Sequence, residues 1–120
     1  MEPVTLTTSV LHDHGLALLA LGGELDVAGT DRVQEAVDGL LADGFTSVVV
    51  DLSGLSFCDS TGLGTLVRTQ RAFVAAGGSC LVAGAHGPVD RLLQLMQMGR
   101  VLELVPDVTT ALRTLRQASR

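Results

Sequence analysis

Helical apolar spacing that recurs between short runs of strand formers constrains this chain more than any other feature. Val33, Ala36, Val37, Leu40 and Leu41 fall at i, i+3, i+4, i+7 and i+8, which is one face of a helix over about residues 28–42. Asp43-Gly44 closes it, because glycine readily takes the left-handed conformation that ends helices. Residues 47–51, SVVVD, are extended. Leu63, Leu66, Val67, Phe73 and Val74 then mark one face of a second helix over about residues 60–76, stopped by Gly77-Gly78. Residues 80–83 form the next strand. Val89, Leu92, Leu93 and Met96 mark a third helix over about residues 88–98, with Pro88 suited to its first turn. Residues 101–105 make a last strand, closed by Pro106. A helix from about Asp107 turns Val108, Ala111, Leu112 and Leu115 inward and carries Arg113, Arg116 and Arg120 toward its C-terminal end.

Upstream, residues 4–11 and 16–21 read as two strands of a hairpin turning at His12-Asp13-His14-Gly15, and Gly22-Gly23-Glu24-Leu25-Asp26 interrupts the pattern. The order ββαβαβαβα implies an α/β fold: a mixed, mainly parallel sheet with about four helices. With no linker, repeat or low-complexity tract, residues 1–120 are expected to form a single domain. At 120 residues, 47% of them apolar, the chain can bury a core unaided. Phe45, Phe57 and Phe73 are its only aromatics, so that core must be aliphatic.

A net charge of −5 argues against a nucleic-acid binder, which needs a basic face, and against attraction to anionic membranes. No apolar run approaches the ~20 residues that span a bilayer, and the N-terminus lacks the features of a signal peptide. Cys58 and Cys80 form no Cys-x-x-Cys pair and sit among strand-like apolar residues, as small core fillers do. These features together suggest a soluble cytoplasmic protein with reduced thiols.

Residues 57–66, FCDSTGLGTL, hold the densest chemistry, and each fragment of it fits known sites poorly. Gly62-x-Gly64 follows a strand and opens a helix, but Val67 stands where a dinucleotide fingerprint needs its third glycine, and no Gly-Lys-Ser/Thr follows. Ser60-Thr61-Gly62 copies half of a Gly-x-Ser-x-Gly nucleophile elbow, with Cys58 in place of the first glycine. Only His86 could serve as base by chain order, and no carboxylate lies between Asp59 and Asp90 to orient it. Elsewhere, His12-Asp13-His14 offers two imidazoles and a carboxylate, but a metal needs further ligands and His86 is distant in sequence. No metal, cofactor or enzymatic activity is therefore expected. A helix N-cap accounts for one of Asp59, Ser60 and Thr61, worth about 1 kcal/mol. Three capping residues in a row exceed that need, which leaves a hydroxyl spare.

Taken together, GELD at residues 23–26, VVVDLSGLSFCDSTGLGTL at 48–66 and GGSCLVAG at 77–84 resemble a STAS domain, specifically the bacterial anti-sigma factor antagonists. The likeness runs over essentially the whole chain. It implies a switch and not an enzyme: an antagonist that binds an anti-sigma factor and so frees a sigma factor for transcription. In such systems the anti-sigma factor commonly doubles as an ATP-dependent serine kinase that modifies the serine after the loop aspartate, here Ser60, with Thr61 as the alternative acceptor. A PPM-type phosphatase reverses the modification. Asp26 matches an acidic residue facing the partner, and Asp59, Ser60, Thr61, Gly62 and Gly64 complete the implied partner surface. The two glycines are expected to let that partner approach closely. Cys58 departs from the Met or aliphatic residue common in the family. A STAS module that is never phosphorylated and serves as a scaffold is the other reading.

Overall fold

A computed structural model of the chain describes residues 6–13 and 16–118. Strands β1 (Leu6–Asp13) and β2 (Leu16–Leu25) are followed by a 3-10 turn (Val27–Gly29) and helix α1 (Thr30–Ala42). Then come β3 (Ser47–Cys58), α2 (Ser60–Ala75), β4 (Ser79–Ala83), α3 (Gly87–Leu95), a second 3-10 turn (Met98–Arg100), β5 (Glu103–Val105) and α4 (Val108–Ala118). The strands lie in the spatial order β1-β2-β3-β4-β5. β1 pairs antiparallel with β2, and every later pairing is parallel. The expected ββαβαβαβα order and mainly parallel sheet are both present. The tip of the hairpin, His14-Gly15, lies outside the described residues, as do Val4 and Arg120.

Helices α1, α2 and α3 cover one face of the sheet and α4 the other. Val33, Val37 and Leu40 of α1, Leu63, Leu66 and Phe73 of α2, and Val89 and Leu93 of α3 pack with Val48, Val50 and Leu52 of β3. Behind the sheet, Ala111 and Leu115 of α4 close on Leu16, Val49, Leu81 and Ala83. Val48, Val49 and Val50 are thus buried on alternate sides, which explains an apolar run with no polar alternation in it. Both cysteines are buried in the main core and unpaired. Burial pushes the Cys58 thiol up to about 11, helped by the carboxylate of Asp59. Burial likewise pushes Cys80 up to about 12, with Glu103 adding to it.

Several boundaries differ from the sequence reading, among them the start of β5, which begins at Glu103 and not at residue 101. β2 does not stop before Gly22 but runs on to Leu25, and β3 runs on from Asp51 to Cys58. Glycine and serine disfavour strands, so the apolar pattern fades there, but pairing carries the two strands on through register shifts after Ala20 and Gly23. Gly54 meets Gly22 at that point, where a Cβ on Gly54 would lie 3.3 Å from the carbonyl oxygen of Leu21. On α2, Val74 is 56% exposed although it shares the spacing of the buried face. On α3, the helix ends at Leu95, and Gln97 turns left-handed (φ 51°). That turn leaves Met96 outside and buries Met98 in its place.

Candidate functional site

The long arms of β2 and β3 position the site. β4 pairs with β3 only as far as Asp51, so beyond that point β2 and β3 continue together, Leu25 opposite Cys58. Being parallel, they deliver two loops to the same place: the turn beginning at Asp26 and the start of α2 at Asp59. The amide of Asp59 donates to the carbonyl of Leu25 at 3.3 Å and ties the loops together. This is the C-terminal edge of a parallel sheet, where the crossover helices begin and where α/β folds usually place their sites.

Asp59 is the N-cap of α2. Its backbone is extended, and its carboxylate accepts from the amide of Gly62 at 2.9 Å. Its carbonyl accepts from the amide of Leu63 at 2.9 Å. Of the three capping candidates, then, Asp59 fills the role and Ser60 becomes the first residue of the helix. The side chains of Ser60 and Thr61 are exposed, and among the described residues neither hydroxyl has a hydrogen-bond partner. Asp26 is built the same way. Its carboxylate accepts from the amide of Ala28 at 3.0 Å and caps the 3-10 turn.

Gly62 is buried. A Cβ there would lie 2.4 Å from the Leu25 carbonyl oxygen and 2.8 Å from the Cys58 sulfur, so the room that it leaves is filled from within the chain. Gly64, half-buried, leaves room facing outward, with Arg68 beside it. Cys58 therefore has a packing duty directly under the loop. Val27, next to Asp26, and Phe57, two residues before Asp59, stand exposed at the two loops, 72% and 45% accessible. Phe57, Pro88, Leu92 and Leu95 line a shallow apolar depression beside them.

Beneath the surface runs a hydroxyl network that sequence reasoning missed. Thr65, 2% exposed, donates to the carbonyl of Thr61 at 3.2 Å and lies 3.2 Å from the hydroxyl of Thr30. Thr30 donates to the carbonyl of Asp26 at 3.2 Å, so both loops are fixed to one pair of threonines where α1 crosses α2. Arg68 donates to Thr65 at 3.1 Å. One signal was available: Thr61, Thr65 and Thr69 stand at i, i+4 and i+8, a polar stripe beside the apolar face.

His86 does not approach the role of a base. Its Nε2 donates to the carbonyl of Ser53 at 2.7 Å, and Asp51 accepts from the amide of Ser53 at 2.9 Å. The side chains of His12 and Asp13 and the whole of His14 lie outside what the structure describes. Among the described residues no group of His, Cys, Asp and Glu could hold a metal ion, and no helix is long and apolar enough to cross a membrane.

A family model of the STAS domain matches residues 7–111. The anti-sigma-F factor antagonist RsfB of Mycobacterium tuberculosis is 32% identical over 117 residues, covering 95% of this chain and 93% of the relative. A crystal structure of an anti-sigma factor antagonist from Mycobacterium paratuberculosis superposes with a TM-score of 0.83 at 28% identity, covering 96% of this chain and 97% of that one. The anti-sigma factor antagonist SpoIIAA in its unphosphorylated form shares the fold, with a TM-score of 0.76 at 19% identity over 92% of this chain and 97% of its own.

Proposed function

This chain belongs to the STAS domain family, and on that premise we propose that it is an anti-sigma factor antagonist switched by phosphorylation of Ser60. In its unmodified form it binds an anti-sigma factor and so releases a sigma factor. The partner doubles as a serine kinase that transfers a phosphoryl group from ATP to Ser60, and a PPM-type phosphatase removes it. In this reading the phosphoryl chemistry belongs to the kinase and the phosphatase, and this chain is their substrate. The partner surface comprises Asp26, Asp59, Ser60, Thr61 and Gly64, with Gly62 buried beneath it, where its lack of a side chain lets the loop close on Leu25 and Cys58.

One observation carries this reading. Capping of α2 is done by Asp59, so the Ser60 hydroxyl is not needed by the fold and faces outward at the meeting point of two loops. A group needed by the fold could not be modified without unfolding it; this one can. Phosphorylation adds about −1.5 to −2 charges next to Asp59. The amino end of α2 offsets this by some 0.3–1 kcal/mol, so the fold should tolerate it. A partner surface shaped for a neutral hydroxyl should not, since an unmatched charge there costs several kcal/mol.

Incubation with ATP and the anti-sigma kinases encoded in the same genome, followed by mass spectrometry, tests this. The phosphate is expected on Ser60 and absent from Ser60→Ala. Phosphate on Thr61 with Ser60→Ala modified as well as the native chain would move the acceptor by one residue. A chain that binds its partner but is never modified would favour the scaffold reading.

A further inference from the structure

Ser60, Gly64 and Arg68 stand at i, i+4 and i+8 on the outward face of α2, one above another. Side chains on a helix lean toward its amino end, so Arg68 leans toward Ser60 across the position of Gly64. There its Nη1 lies 3.5 Å from where a Cβ of Gly64 would be, so the guanidinium occupies the space that glycine leaves open. Nη2 is held by the buried Thr65 hydroxyl at 3.1 Å. The proton of Thr65 is committed to the carbonyl of Thr61, so its lone pairs are free to accept from the arginine. Anchored at one nitrogen, the exposed guanidinium has no carboxylate partner among the described residues. Its remaining N–H groups form the fork that suits a phosphoryl group.

We propose that Arg68 is an internal receptor for the phosphate of Ser60, folding the phosphoryl group back along α2 and stabilising its dianion. This rests on Ser60 being the modified residue. Residues four apart on a helix hold their Cβ atoms about 5–6 Å apart, so a phosphoryl group on Ser60 reaches the guanidinium over Gly64 directly or through one water. Asp59 on the same loop and Asp26 on the 3-10 turn that the Leu25–Asp59 hydrogen bond ties to it disfavour the dianion, as does Asp31, which follows Thr30 at the amino end of α1. Arg91 of α3 lies beyond Phe57 and Cys58 and is the competing cation on this side. A phosphoserine loses its second proton near pH 6. Arg68 therefore keeps the modified state doubly charged below neutral pH, against the pull of these aspartates.

The test needs no kinase, so its failure is separate from failure of the switch. Phosphoserine is installed at position 60 during translation, and the phosphorus resonance is titrated in the otherwise native chain, in Arg68→Gln and in Arg91→Gln. Arg68→Gln is expected to raise the second pKa by about 0.3–0.7, the size of an exposed ion pair, and Arg91→Gln by less than about 0.1. Equal values in the native chain and Arg68→Gln would overturn the proposal. So would a rise in Arg91→Gln as large as that in Arg68→Gln.

Discussion

Asp59 and Ser60 divide two duties that one residue could have carried. The carboxylate takes the orphan amide of Gly62, and the hydroxyl is left to solvent. Asp59→Ala should therefore cost about 0.5–2 kcal/mol in a denaturant melt, as loss of an N-cap does, whereas Ser60→Ala should stay within about 0.5 kcal/mol. Gly62→Ala meets backbone at Leu25 and should lose about 1–3 kcal/mol, because a strand carbonyl cannot move aside as a flexible side chain can. The thiols make a pH-dependent claim. Cys58 and Cys80 titrate near 11 and 12 in the fold and near 9 unfolded. From pH 9 upward the unfolded chain releases protons that the native state retains, so stability is full below pH 9 and falls as pH rises through 11–12. Melts between pH 8 and 11 should show this loss, and a Cys58→Val, Cys80→Val double variant should lose less per pH unit than the native chain. Parallel slopes would mean that the thiols are not held protonated.

At the scale of elements, α2 joins core and site. Leu63 and Leu66 face the sheet while Ser60, Gly64 and Arg68 face away, so helical period alone keeps the packing face and the proposed switch face on different sides. Leu66→Ala should cost about 2–5 kcal/mol, and Val74→Ala, at an exposed position, within about 0.5 kcal/mol. Circular dichroism is the suitable probe, since the chain has no Trp or Tyr. The four helices were legible in the sequence because long periodic segments announce themselves. The ends of β2 and β3 were not. Gly22-Gly23 and Ser53-Gly54 carry little strand preference of their own; Gly22 pairs with Thr7 and Gly54, and Gly23 with Leu6 and Leu55, partners distant in sequence and invisible in either segment alone. Those unread ends are what bring Asp26 and Asp59 together. The candidate site residues were named from the resemblance of the loop motifs, but which of three polar residues caps α2 was not legible, because all three side chains suit the role. The Thr30–Thr65 contact joins residues 35 apart in sequence, and no local pattern reports it.

For the whole molecule, the sheet, four helices and two buried cores form a base that holds the exposed Ser60 hydroxyl at its edge. Nothing in that base depends on Ser60 being uncharged, so modification should change what the surface binds while leaving the fold intact. Far-ultraviolet spectra of the modified and unmodified chains should accordingly superpose, with melting points within a few degrees of each other. A single negative charge should do part of the work: Ser60→Asp should weaken partner binding, but less than phosphorylation, having one charge in place of nearly two and lacking the tetrahedral oxygens. Ser60→Ala should bind as the native chain does, since it leaves no charge behind. The most direct measurement is calorimetric titration of the anti-sigma partner with the unmodified chain and with the chain carrying phosphate on Ser60, in the same buffer. A loss of at least about tenfold in affinity on phosphorylation, equivalent to about 1.4 kcal/mol, is predicted. Equal affinity of the two forms would contradict a switch at Ser60.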